Sequence, residues 1–97
     1  MKFNIHKLKK YFKSQFVVNA VIKYIPSEDE LKLIEYFPDA YIPKAVIEAE
    51  LPYMNIPFEN TENSYYAVYF SGDESTGEVQ IDSYKLLSEE DLKEFTQ

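Results

Sequence analysis

Few residues in this chain could do chemistry. His6 is the sole histidine and cysteine is absent, so the chain cannot supply a histidine pair, a thiolate nucleophile or a zinc site built on sulfur. No serine sits in a nucleophile elbow. The two glycines, Gly72 and Gly77, lie in one short segment with no Gly-Lys-Ser/Thr sequence beside them, which excludes the phosphate-cradling loop of a nucleotide hydrolase. Carboxylates are the remaining source of acid–base chemistry. Glu48 and Glu50, and Glu78 and Asp82, recur at even spacing and could converge on one sheet face, although any wet sheet face requires the same alternation. Asp73, Glu74 and Glu78 could attract a divalent cation, but they lack the ligand spacing of an EF-hand. These observations assign no catalytic residue, cofactor or metal ligand, and the expectation is a non-enzymatic protein.

Charge is distributed unevenly. All ten basic residues are lysine, and the net charge is −7. Residues 1–23 hold six lysines and no acid, whereas residues 59–97 hold ten acids and two lysines. Such asymmetry suggests a basic contact surface on an acidic body. Lys7, Lys9, Lys10 and Lys13, with Tyr11 among them, are the candidates for contacting nucleic acid: the ammonium groups would neutralise phosphates and the ring would stack on a base. Against that reading stand the absence of arginine and the acidity of the rest of the chain, which repels a polyanion. Nine tyrosines offer large contact area with a polar tip, a property of protein interfaces as well as of cores.

The elements that must carry these residues follow from patterning. At 97 residues, with 45% hydrophobic and 16% aromatic side chains, the chain fits one folded domain, 1–97. Asn4 is placed to cap a first helix, with Phe3 and Leu8 as its staple and Ile5, Leu8 and Phe12 as its apolar stripe. Phe16 to Ile25 is rich in β-branched and aromatic residues and reads as a buried strand. Ser27-Glu28-Asp29-Glu30 has the form of a capping box before Leu31, Leu33, Ile34 and Phe37, which predicts a second helix ended by Pro38. Ala45 to Leu51 alternates as a half-exposed strand, and Tyr53 to Asn63 reads as an irregular connection anchored by Met54, Ile56 and Phe58. Tyr65–Phe70 and Glu78–Tyr84, around the loop between the two glycines, form a β-hairpin whose first strand is apolar on both faces and therefore central. Ser88 caps a last short helix, with Leu87 and Leu92 as its staple.

The resulting fold class is α+β, in the order α-β-α-β-β-β-α: a small, mainly antiparallel sheet of about four strands with helices packed on one face. No apolar run approaches the ~20 residues that cross a bilayer, so a soluble, cytoplasmic protein without a membrane partner is expected. The leading functional expectation is a protein-binding module, of the kind used as a small acidic inhibitor or accessory factor by a phage, virus or mobile element. Its partner would be a basic or nucleic-acid-binding protein. The contact residues would be Glu59, Glu62, Tyr66, Asp73, Glu74, Glu78 and Asp82, in the sharpest form imitating the phosphate charge of DNA. The alternatives are a nucleic-acid accessory protein acting through the lysine helix and a structural homo-oligomer, such as a homodimer, formed through an exposed sheet face or edge.

Overall fold

The computed structural model describes residues 2–12, 18–37, 42–73 and 75–96. Two strands, β1 (Ala20–Ile25) and β3 (Ser64–Asp73), are apolar at successive positions, and a strand of that kind is stable only where both of its faces and both of its edges are covered. They accordingly lie side by side at the centre of a four-stranded antiparallel sheet. Its outer strands are β2 (Glu30–Tyr36) and β4 (Glu78–Leu86), giving the order β2-β1-β3-β4. The helices are α1 (Ile5–Phe12), α2 (Lys44–Glu50) and α3 (Glu89–Phe95).

Register assigns each side chain to a face. Ala20 opposite Val68 and Ile22 opposite Tyr66 point one way, and Val21 opposite Ala67 and Lys23 opposite Tyr65 point the other. The first set joins Ile47 of α2, Leu51 and Phe58 in one core cluster; Val21, Ala67 and Tyr65 of the second pack with Phe3, Leu8 and Phe95, which belong to α1, α3 and their flanks, in another. The expected α+β sheet is thus present, with its helices divided between both faces. Two-sided apolar central strands demand two covers.

The terminal helices form as their sequences require. The Asn4 side-chain oxygen accepts the Lys7 amide at 3.1 Å, and Phe3 and Leu8 are both buried. In α3 the Ser88 hydroxyl accepts the Asp91 amide at 3.1 Å while Asp91 Oδ2 accepts the Ser88 amide at 3.0 Å, a reciprocal capping box. The Asn4 amide donates to the Phe95 carbonyl at 2.6 Å and Phe3 bridges to Thr96, so α1 and α3 are tied at their ends.

Two segments exchange the roles expected of them. Residues 30–36 form strand β2 where a helix was expected. The signals in Pro26–Ser27–Glu28 are spent on a single 3-10 turn, and Asp29, in the left-handed conformation at φ 49°, sends the chain straight back along β1. Ile34 is an extra residue in β2, since Val21 pairs with Glu35 and Ile22 with Leu33. This bulge shifts the alternation so that the apolar spacing of Leu31, Leu33, Ile34 and Phe37 resembles a helical stripe. Residues 44–50 form helix α2 where a strand was expected. Ala, Glu and Lys have high helix propensity, Ile47 and Leu51 are buried four residues apart, and Lys44 lies 3.8 Å from Glu48 across one turn.

The last pairing agrees with its sequence. β3 and β4 form the expected hairpin, with Gly77 at φ 73° in its turn. Here too the outer strand has one residue more than its partner: Tyr69 pairs with Ser83 and Phe70 with Ile81, which leaves Asp82 bulged. Of the expected first strand, Phe16 and Val17 lie outside the described residues, as does Pro38.

Candidate partner-binding face

The chain between β2 and β3 crosses the sheet face that carries Ile22, Tyr66 and Val68. A 3-10 turn at Leu51–Tyr53 leaves α2, and the strap that follows is nailed down by Phe58. The Phe58 ring stacks on Tyr66 with centroids 3.9 Å apart and meets the edge of Tyr84 at 4.9 Å. Tyr66 is therefore a core residue, 4% exposed, and its hydroxyl is held above the usual tyrosine range by burial and by the neighbouring Tyr84 and Tyr24. Its role is to carry the strap, not to touch a partner. Among the described residues the exposed tyrosines are Tyr53, at 83%, and Tyr84, at 44%.

On either side of the strap lies a cleft with an acidic rim. One, of 540 Å³, is lined by Glu28, Asp29, Glu30, Leu31, Met54 and Ile56 among others. The second, of 490 Å³, lies between the strap and β4 and is lined by Glu50, Tyr53, Met54, Glu78, Val79 and Ile81 among others. By register Glu30, opposite Ile25, and Glu78, opposite Asp73, point to the far face of the sheet, so their place in the linings is at the sheet edges. Among the described residues, Lys44 is the one lysine on an element covering this face, and Glu48 lies beside it. Lys23 and Lys32 pair across β1 and β2 on the opposite face, where Lys23 lies 5.7 Å from the centre of the Tyr65 ring. Lys7, Lys10 and Lys93 are exposed on α1 and α3.

The carboxylates singled out by sequence do not gather in one place. Glu59 and Glu62 are exposed in the loop before Ser64, whose hydroxyl donates to the Glu62 carbonyl at 2.9 Å. Glu78 pairs with Asp73 at the other end of β3, roughly 30 Å away at the rise of a strand. Asp82 is exposed at the β4 bulge. Glu74 lies outside the described residues, as does the Asp73 side chain. The acid–base grouping of Glu48 and Glu50 with Glu78 and Asp82 is not a sheet arrangement, because the first two belong to α2.

For the lysine helix, Lys7 and Lys10 are exposed one turn apart on α1, while Lys13 and the side chains of Lys9 and Tyr11 lie outside the described residues. The adjoining α3 carries Glu89, Glu90, Asp91 and Glu94, which oppose the attraction of a polyanion to that end of the molecule. Among the described residues no group of histidine and carboxylate side chains is placed to hold a metal ion, and no helix is long and apolar enough to cross a membrane.

Sequence reasoning missed Glu28–Glu30, Glu50 and Tyr53 as a surface. The acidic run was visible, but it was assigned to a helix start. Tyr53 gives no signal in one dimension, because its exposure depends on how the strap crosses the sheet. No protein-family model matches the chain, and neither the curated proteins nor the solved structures contain a significant match to it.

Proposed function

We propose that this chain is a non-enzymatic protein-binding module whose partner is a basic protein, held against the acidic face that carries the strap. The observation that supports this most is the set of carboxylates in the linings of the clefts beside the strap, Glu28 and Asp29 in one and Glu50 in the other, with Lys44 the one described lysine on an element covering this face. A face of one sign steers an oppositely charged partner and rejects like-charged ones. Tyr53 and Tyr84 add exposed aromatic area of the kind that anchors interfaces. An inhibitor or accessory factor, in which these carboxylates stand where phosphates would, is the sharpest version of the reading.

The test is capture of partners from a nuclease-treated lysate on three proteins: the native chain, a face variant (Glu28→Gln, Asp29→Asn, Glu50→Gln) and a helix variant (Lys7→Gln, Lys10→Gln). A basic protein retained by the native chain and the helix variant, lost from the face variant and displaced by duplex DNA is the expected outcome. Equal retention on the native and face proteins would sink the reading. Loss on the helix variant alone would replace it with contact through α1.

A further inference from the structure

The two borders of the sheet are not alike. The Leu87 amide donates to the Tyr65 carbonyl at 2.9 Å, and along an antiparallel ladder alternate residues turn their backbone groups toward the same neighbour. Lys85 and Ser83, opposite Ala67 and Tyr69, therefore bond to β3 as Leu87 does, and Tyr84 and Leu86 turn their N–H and C=O groups outward from the sheet. The side chains of those two residues lie on the strap face, opposite Val68 and Tyr66, where Tyr84 is 44% and Leu86 47% exposed. The Tyr84 ring is held by its edge contact with Phe58 and by a second one with Tyr66 at 6.1 Å. On the other border, Leu31 and Leu33 of β2 occupy the equivalent position, opposite Tyr24 and Ile22. Their side chains are taken up by the core cluster, and the 3-10 turn at Leu51–Tyr53 packs against that strand. An outward row of backbone donors and acceptors beside open apolar side chains is what an added strand uses: its main chain makes the hydrogen bonds and its alternate side chains give specificity.

Charge and length select the occupant. Asp82 is exposed at one end of this stretch, and Glu89 and Glu90 are exposed at the other, in the first turn of α3. The bulge at Asp82 ends the regular pairing, so the stretch has room for one short segment. A second copy is disfavoured, since a net charge of −7 repels its like, and an antiparallel match centred on Lys85 would set two lysines directly opposite each other. We propose that the edge of β4 from Ser83 to Leu86 takes an extended segment of the basic partner as a fifth strand, with backbone bonds to Tyr84 and Leu86, apolar side chains against theirs, and lysine or arginine at its ends beside Asp82 and Glu89. The inference rests on the reading of the chain as a binder of a basic protein and assigns the way in which that protein is held.

The probe is a blocked hexapeptide, Lys-Val-Thr-Val-Thr-Lys, titrated into the native chain and followed by backbone amide NMR. The Tyr84 and Leu86 amides are expected to shift and to gain protection from hydrogen exchange, which side-chain contact alone does not give. N-methylation at both Val or at both Thr blocks one row of the peptide's donors each. One of these two peptides should bind at least about tenfold more weakly and the other less than about threefold, because a strand at an edge uses a single row. Glutamate in place of both lysines should weaken binding about fivefold. Leu86→Pro removes an outward donor and no bond to β3, and should weaken binding at least about fivefold; Leu86→Thr keeps the backbone and should weaken it about twofold.

Equal binding of the two methylated peptides would mean that side chains alone make the contact, which overturns the inference. Shifts at Leu31 and Leu33 in place of Tyr84 and Leu86 would do the same, as would a dimer in sedimentation whose edge amides are protected before any peptide is added. Absence of peptide binding, with a basic protein still captured by the native chain and lost from the face variant, would overturn the strand addition and leave the acidic-face reading standing.

Discussion

The side chain of Asn19 holds Phe70 by both of its backbone polar groups. Nδ2 donates to the Phe70 carbonyl at 2.9 Å and Oδ1 accepts the Phe70 amide at 2.9 Å, both buried. The Asn19 backbone meanwhile donates to Val68 and accepts from Phe37. One residue thus joins β1, β3 and the end of β2 where the β3–β4 pairing shifts register. A carboxamide supplies one donor and one acceptor in the plane that a neighbouring strand would have provided.

Asn19→Ala should therefore cost about 2–4 kcal/mol, because two buried backbone groups lose their partners and no water-sized replacement is built in. Asn19→Asp should cost more at pH 7, where a carboxylate would face the Phe70 carbonyl. Relative to the native chain, its deficit should shrink in acid, since a protonated carboxyl donates to that carbonyl. Urea unfolding at the two pH values measures both effects; an alanine variant within 0.5 kcal/mol of native, on the order of an ordinary surface change, would contradict this account.

Much of this arrangement was legible in the chain, and the remainder was hidden for definable reasons. The β3–β4 hairpin and the capped α3 could be read because their signals are local: Gly77 supplies the turn, and Ser88 and Asp91 supply the box. β2 and α2 could not, because each carries the pattern of the other. The Ile34 bulge disguises a strand, and the Ala-Glu alternation of residues 45–50 disguises a helix whose buried side is set by Ile47 and Leu51. The candidate face could be read only as acidity. Its clefts are lined by residues distant in sequence, such as Glu50 and Val79.

Glycine substitutions should separate two kinds of constraint. Gly77→Ala places a side chain at φ 73° with open space around it, so its cost of about 1 kcal/mol or more comes from backbone conformation. In Gly72→Ala the new methyl would sit 3.0 Å from Ile42 Cδ1, a clash that Ile42→Val should partly relieve. Thermal melts of the two single variants and the Gly72/Ile42 pair distinguish the cases. Equal losses in Gly72→Ala with and without the Ile42 change would refute the steric account.

Tyr66 and Tyr36 have hydroxyls raised above the ordinary 10.0 by burial, with Tyr84 and Tyr24 adding to the shift at Tyr66. A raised folded value means the folded chain keeps these protons longer than the unfolded chain. Their contribution is complete below pH 10.0 and is lost as pH rises through the folded values. Ultraviolet titration should accordingly show a late group of tyrosines ionising together with loss of circular dichroism. Ionisation of all nine with the dichroism unchanged would disprove it.

Phe58→Ala should cost about 3–5 kcal/mol, since it removes a buried ring stacked on Tyr66. It should also loosen the strap. If the strap positions the candidate face, a variant that still folds will retain less of the basic partner in the capture experiment although no carboxylate has changed; unchanged retention would mean that the clefts persist without this anchor.

The extra residues at Ile34 and Asp82 lie in the two outermost strands. A strand border left straight is a growth front: identical chains can lay down on it repeatedly and build fibrils. Here each border is broken partway along and carries charges, Glu30, Lys32 and Glu35 on one and Glu78, Asp82 and Lys85 on the other, so successive copies find no continuous template. Concentrated stocks should accordingly resist seeded fibre growth, and sequences trimmed to restore regular alternation at either position should lose that resistance before they lose the fold.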